Sequence, residues 1–216
     1  MKLSRSTKPN QGLTLLEFVV VLFSLFILAS LLLPALSAPR VRNALGCMNQ
    51  LKRMGLADRA WEGNQADEFM SAMAATNNEG LAENLFGSMS NELSSTRVLV
   101  CPSDRRRLPS SSFHTLTARN ISYFINLDAS EANPQDILMG DDNLTVRGVR
   151  VKSGLLAISN QVSIGWTADR HRLCGNLALA DGSVQSANNL GLNAYWGDTT
   201  NLVSGTNGIR VRLAIP

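Results

Sequence analysis

Residues 18–39 contain no charged side chain. No other feature of the sequence constrains the fold as strongly as these 22 consecutive positions. As a helix they run about 33 Å at 1.5 Å per residue, enough to cross a bilayer core of roughly 30 Å. The residue just before them is Glu17. An ionised carboxylate at membrane depth costs a few kcal/mol or more, so a plain anchor would carry leucine there. A cleaved secretory signal would have an apolar core of about 7–15 residues and a small-residue cleavage site. Here the run is longer, and the best such site, 36–38, is followed by Pro39, which hinders cleavage. The expectation is a membrane-spanning helix with an acid at its start that still needs a reason.

Charge is distributed just as unevenly. The first twelve residues carry Lys2, Arg5 and Lys8 and no acid. The chain has 20 basic and 17 acidic residues, so beyond residue 12 the remaining 17 bases balance the 17 acids. The pI near 9.0 thus comes from the leader. It does not indicate nucleic acid, which requires a basic face on the folded domain, and no nucleic-acid partner is expected.

Residues 12–17 read Gly-Leu-Thr-Leu-Leu-Glu, after a short basic leader and before the apolar run. This resembles the processing site of type IV pilins and type II secretion pseudopilins: Gly, an apolar first mature residue, and Glu at the fifth mature position. The resemblance implies that a prepilin peptidase cuts after Gly12 and methylates the new amine of Leu13. Glycine lacks Cβ and lets an extended backbone enter a narrow protease site. The resemblance also gives Glu17 a role, pairing with the N-terminal amine of a neighbouring subunit as it enters a filament. Low dielectric makes such a pair strong and the lone charge costly; the alternative is a glutamate reaching out to the membrane surface. Pro34 is the twenty-second mature residue, where many type IV pilins also carry proline. It either marks a site of bending on assembly or closes the span.

Downstream, Val41, Ala44, Leu45, Met48, Leu51, Met54, Ala57 and Trp61 recur at helical spacing. They predict an amphipathic continuation of the helix whose stripe packs on a globular domain; the alternative, with Pro34 and Pro39 lying between, is two unconnected helices. A short helix is expected over 81–93, with Leu85, Phe86, Met89 and Leu93 inward. Strands are expected in "RVLV", "NISYFINL", "LLAIS", "SIGWTA" and "GIRVRLAIP". "GDDN" reads as an exposed acidic turn, and "NNLGLNAYW" as a short helix. "NLALADGSVQSA" reads as a hairpin with Asp181-Gly182 as a two-residue turn.

His171 is followed after nine residues by Asp181-Gly182. This resembles the C-terminal signature of the H-x9-D-G branch of pilin-like proteins. "CMNQLKRMGLA" at 47–57 and "CPSD" at 101–104 are similar to other motifs of that branch. A metal or catalytic pair of His171 and Asp181 is the sharper reading, and a structural turn the plainer one. Zinc sites use three or four ligands, and neither Cys-x-x-Cys nor His-x-x-x-His occurs. Asp141 and Asp142 imitate part of a pseudopilin calcium loop, without EF-hand spacing. No metal, cofactor or catalytic residue is expected. Of the three cysteines, Cys47 and Cys101 are the candidate disulfide, stapling helix to sheet, and Cys174 is left over; the alternative is three buried thiols.

The expected architecture is α+β and pilin-like. A long N-terminal helix, transmembrane half plus amphipathic half, packs on a small antiparallel sheet. The expected division is a leader at 1–12, a transmembrane helix at 13–37, its amphipathic continuation at 38–61 and a globular domain at 62–216. The expected placement is the inner membrane, single-pass, with the domain periplasmic. The expected function is a structural subunit of a type II secretion or type IV pilus-like filament. Its expected partners are a prepilin peptidase, other pilin-like subunits, an inner-membrane assembly platform and the lipid bilayer. The alternative is a membrane-anchored extracytoplasmic enzyme or binding protein that uses the N-terminus only for delivery.

Overall fold

The computed structural model describes residues 14–36, 39–62, 81–130, 132–159, 162–202 and 210–216. The chain divides into two units, Met1–Val41 and Arg42–Pro216.

The first unit contains helix α1 (Leu15–Leu36). Thr14 and Glu17 start it as a capping box. The Glu17 N–H donates to Thr14 Oγ1 at 3.3 Å, and Glu17 Oε2 accepts from the Thr14 N–H at 2.8 Å and its hydroxyl at 2.9 Å. The reciprocal bonds satisfy backbone donors that a helix start leaves unpaired. Glu17 therefore has a local partner that needs no second chain. The backbone bond first, and then the hydroxyl, holds its carboxyl below the usual range. Ser24 and Ser30 donate to the carbonyls of Val21 and Ile27, one turn back. Phe18, Phe23, Phe26 and Leu28 are all exposed, so the apolar surface runs around the helix rather than along one stripe. Pro34 lies within α1. Gly12 and Leu13 lie outside the described residues.

Three expectations need correction. Among the described residues, no helix is long and apolar enough to cross a membrane. The transmembrane helix and the single-pass inner-membrane placement with a periplasmic domain are therefore not supported. The pilin-like fold is corrected as well. α1 ends at Leu36, and a separate helix, α2, covers Pro39–Glu62.

The second unit is α+β. Its main sheet has six antiparallel strands in the order β5-β9-β1-β2-β7-β8. These are β1 (Tyr123–Asn126), β2 (Ile137–Asp141), β5 (Gly154–Ser159), β7 (Cys174–Leu179), β8 (Val184–Asn188) and β9 (Arg210–Ile215). A second sheet has three strands in the order β4-β3-β6: β3 (Leu144–Val146), β4 (Val149–Arg150) and β6 (Ile164–Trp166). Helices α3 (Leu81–Ser88) and α4 (Ser90–Leu93) precede the strands, and α5 (Asn189–Leu202) follows β8.

The main sheet is buried on both faces. Tyr123 and Ile125 of β1 pack with Leu51, Met54, Trp61, Leu85 and Phe86 from α2 and α3. Phe124, between them, points the other way and packs with Trp166, Leu177 and Trp196. Two-sided burial explains why β1 and β2 read as nearly unbroken apolar runs. Of the predicted α2 stripe, Leu51, Met54, Ala57 and Trp61 are buried, while Leu45 is exposed. Leu85, Phe86, Met89 and Leu93 all point inward. "RVLV" differs from expectation. Thr96–Leu99 forms a 3-10 turn started by Ser95, whose hydroxyl accepts from the Arg97 N–H. Val98 and Leu99 enter the core from that turn instead of from a strand.

Two asparagines of α5 close the outer edge of β6. Asn193 accepts from the Ile164 N–H at 3.2 Å and donates to the Ile164 carbonyl at 2.7 Å. Asn189 accepts from the Trp166 N–H at 2.8 Å. On β7, Gly175 makes room for Trp166, since a Cβ there would lie 2.6 Å from the indole ring. Gly175→Ala is expected to cost about 1–3 kcal/mol through overpacking, read as a lower urea midpoint at unchanged slope. Gly87→Ala is the control, because nothing lies within 4 Å of that position. Equal midpoints for the two variants would show that Trp166 is not held against Gly175.

Candidate functional site

The sequence motif at 101–104 positions one corner of the second unit. The Asp104 N–H donates to the Cys101 carbonyl at 2.8 Å, closing a turn with Pro102 in its second position. Proline there is already at the backbone angle the turn needs. Gly46 faces the turn from α2, where a Cβ would lie 3.1 Å from Pro102 Cγ. The next α2 residue, Cys47, is joined to Cys101 by a disulfide with Cα atoms 5.1 Å apart. Both cysteines are buried, and Cys174 is a free thiol at the start of β7.

His171 lies against this disulfide. Its Nε2 is 3.4 Å from Cys101 Sγ, 3.4 Å from Asp141 Oδ2 and 3.3 Å from Asn176 Nδ2. Asp141, at the end of β2, is fully buried, and its Oδ2 accepts from the Asn176 N–H at 2.7 Å and from Nδ2 at 2.9 Å. Burial pushes the Asp141 carboxyl up, and Arg170 and then His171 hold it back. Arg172 and Leu173, between His171 and β7, both have positive φ, 56° and 62°. Such backbone is uncommon outside glycine, and it turns the chain from His171 into β7.

A layer of buried ion pairs continues from Asp141. Arg170 donates from Nη1 to the Ser122 carbonyl at 2.9 Å and lies 3.6 Å from Asp104 Oδ2 and 3.7 Å from Asp141 Oδ1. Its Nη2 pairs with Asp142. Arg107 Nη1 is 2.5 Å from Asp142 Oδ2 and 3.7 Å from Asp104 Oδ2. Ser122 Oγ donates to Asp104 Oδ2 at 3.0 Å. Burial lowers the pKa of both guanidines. Nearby, the Tyr123 hydroxyl donates to Gln50 Oε1 of α2 at 2.8 Å, and burial pushes its pKa well above the usual value. Asp141 and Asp142 are thus interior ion-pair partners, not the exposed acidic turn expected from "GDDN".

His171 and Asp181 are not brought together. They flank opposite ends of β7, a strand of six residues and therefore roughly 17–20 Å long. Asp181 belongs to the β7–β8 turn and accepts from the Ser183 N–H at 2.7 Å; hydrogen bonding to the Ser183 side chain first, and then to its N–H, holds its carboxyl low. The turn has three residues rather than the expected two. Leu179 and Ser183 pair across it, and Gly182 takes the left-handed position at φ 79°. α2 grips this turn from above: Lys52 Nζ donates to the Gly182 carbonyl at 2.8 Å, and Arg59 Nη2 to that of Ala180.

The corner therefore joins the "CPSD" turn, the "DD" pair and the His171 end of the H-x9-D-G stretch. Asp104, Arg107, Arg170 and Asn176 complete it, and reading the sequence did not single them out as site residues. Among the described residues, Cys47, Cys101 and His171 form a group whose ligand atoms lie within 4.8 Å of one another. With both sulfurs bonded to each other, the corner holds no thiolate and acts as a clamp between α2 and the Cys101–Asp104 turn. No family model matches the chain, and no curated protein and no solved structure matches it.

Proposed function

We propose that the chain is a structural subunit of a filament, cut after Gly12 by a prepilin-type peptidase, methylated at Leu13 and assembled with other such subunits. The observation that carries this reading is the bare apolar surface of α1. Leu15, Phe23 and Phe26 are 82%, 65% and 73% exposed, on a helix with no polar face over 18–30. A contiguous apolar surface of this kind marks an interaction site. Bundling of α1 helices from several copies covers it. The basic leader and the glycine at the proposed cut support the same reading.

The capping box changes how Glu17 is tested. Glutamine at the third helical position still completes such a box but carries no charge. If Glu17 serves a neighbour's ammonium, Glu17→Gln is cleaved normally and its incorporation into filaments falls, while Thr14→Ala, which keeps the charge, still assembles. Mass spectrometry of the mature N-terminus and co-sedimentation at equal expression read the two steps. An N-terminus not at methylated Leu13 overturns the processing step. Failure of Thr14→Ala together with full assembly of Glu17→Gln reduces Glu17 to a helix cap.

A further inference from the structure

We propose that reduction of the Cys47–Cys101 disulfide turns this corner into a site for one zinc-class divalent cation, with the grouped Cys47 Sγ, Cys101 Sγ and His171 Nε2 as ligands and Asp141, outside that group but beside His171, drawn in as the fourth. Tetrahedral zinc holds sulfur at about 2.3 Å and nitrogen or oxygen at about 2.0–2.2 Å, so its S···N and N···O edges are about 3.4–3.6 Å. His171 Nε2 already stands 3.4 Å from Cys101 Sγ and 3.4 Å from Asp141 Oδ2. All three of the cysteine and histidine ligand atoms lie within 4.8 Å of one another. Asn176 holds Asp141 by two bonds to Oδ2, and Asp141 Oδ1 accepts no hydrogen bond among the described residues. Charge also balances. Two thiolates and one carboxylate against a divalent cation leave one negative charge, and Arg170 Nη1 stands 3.7 Å from Asp141 Oδ1.

The chemistry needs a two-electron reductant, a dithiol or a phosphine. It breaks the S–S bond and leaves two thiols, and each thiol releases a proton to solvent when its sulfur takes the metal. Closed, the disulfide has no thiolate to offer, so the same residues alternate between a covalent clamp and a metal site. Cys174 is outside the group.

The test uses the full chain, reduced with a phosphine and freed of it, then titrated with cobalt(II) and afterwards zinc. The expected result is a thiolate-to-cobalt charge-transfer band that saturates at one ion per chain and is displaced by zinc. The near-UV circular dichroism of the folded protein should persist. The oxidised chain should show no such band. Cys174→Ser should bind as wild type, whereas His171→Ala should lose more than the roughly 10–100-fold that outer-shell partners contribute. Absence of the band in the reduced chain overturns the proposal, as does equal binding by the oxidised chain or loss of binding in Cys174→Ser. If the reduced chain loses its near-UV signal with cobalt present, the folded site does not exist and the proposal falls.

Discussion

Replacing Cys47 and Cys101 together by serine is expected to lower the stability of the second unit by about 4 kcal/mol. The two residues are 54 apart in sequence, and closing a loop of that length removes about 14 cal/mol/K from the unfolded chain, or about 4 kcal/mol at 25 °C. The double variant also prevents mispairing with Cys174. Urea unfolding of oxidised wild type, reduced wild type and the double variant measures the effect. The reduced protein and the variant should unfold at similar midpoints, well below the oxidised chain. Zinc should then raise the midpoint of the reduced wild type alone. A difference below about 1 kcal/mol between variant and oxidised wild type would mean that the link constrains the unfolded chain far less than loop closure implies.

Arg170→Met is expected to cost about 3–5 kcal/mol near neutral pH. Removing one member of a buried ion-pair set leaves its partners charged and unmatched, and Arg170 contacts Asp104, Asp141 and Asp142 together. The pH dependence follows from the sign of the shift. Burial already raises the Asp141 carboxyl above its ordinary 3.8, and Arg170 is the largest influence opposing that rise. Without Arg170 it rises further. A carboxyl whose folded pKa lies above its unfolded one binds protons more tightly in the folded state. Stability then falls as pH rises through the window between the two values. The deficit of Arg170→Met should therefore be largest near neutrality and shrink as pH falls toward the ordinary carboxyl range. Thermal melts of wild type and variant across that range read the trend. A deficit that stays constant with pH would show that Arg170 acts through packing and not through charge.

The parts of this fold that could be read from sequence are those governed by short-range periodicity. Leu51, Met54, Ala57 and Trp61 recur at helical spacing because one face of α2 is buried. Asp181-Gly182 announced a hairpin because only glycine adopts the left-handed turn position without strain. β2 was missed because its apolar core, Ile137 to Met139, is only three residues long and shows no alternation when both faces are covered. The strand expected at "RVLV" failed because Ser95 starts a tight turn, and the branched side chains are buried from there. The charge cluster was hidden for a different reason. Its members come from separate stretches, near 104, 122, 141 and 170, and polar residues in turns read as exposed. One signal was present: "CPSD" and the H-x9-D-G stretch were both singled out, and His171 lies against Cys101 across 70 residues of sequence. The uncharged run of α1 reads as a membrane span, yet no described helix is long and apolar enough to be one, because a run without charge does not specify what covers it.

The two amides of Asn189 and Asn193 occupy outward-facing hydrogen-bonding groups of β6 in place of a further strand. An open strand edge is a template that another copy of the same chain can extend. That hazard grows with local concentration, and copies joined through α1 would hold their second units in close company. Capping β6 from α5 leaves no free ladder there for a neighbour to continue. If copies assemble through α1 as proposed, they can be crowded together through that one surface without their small sheets fusing into a continuous cross-β ribbon at this edge.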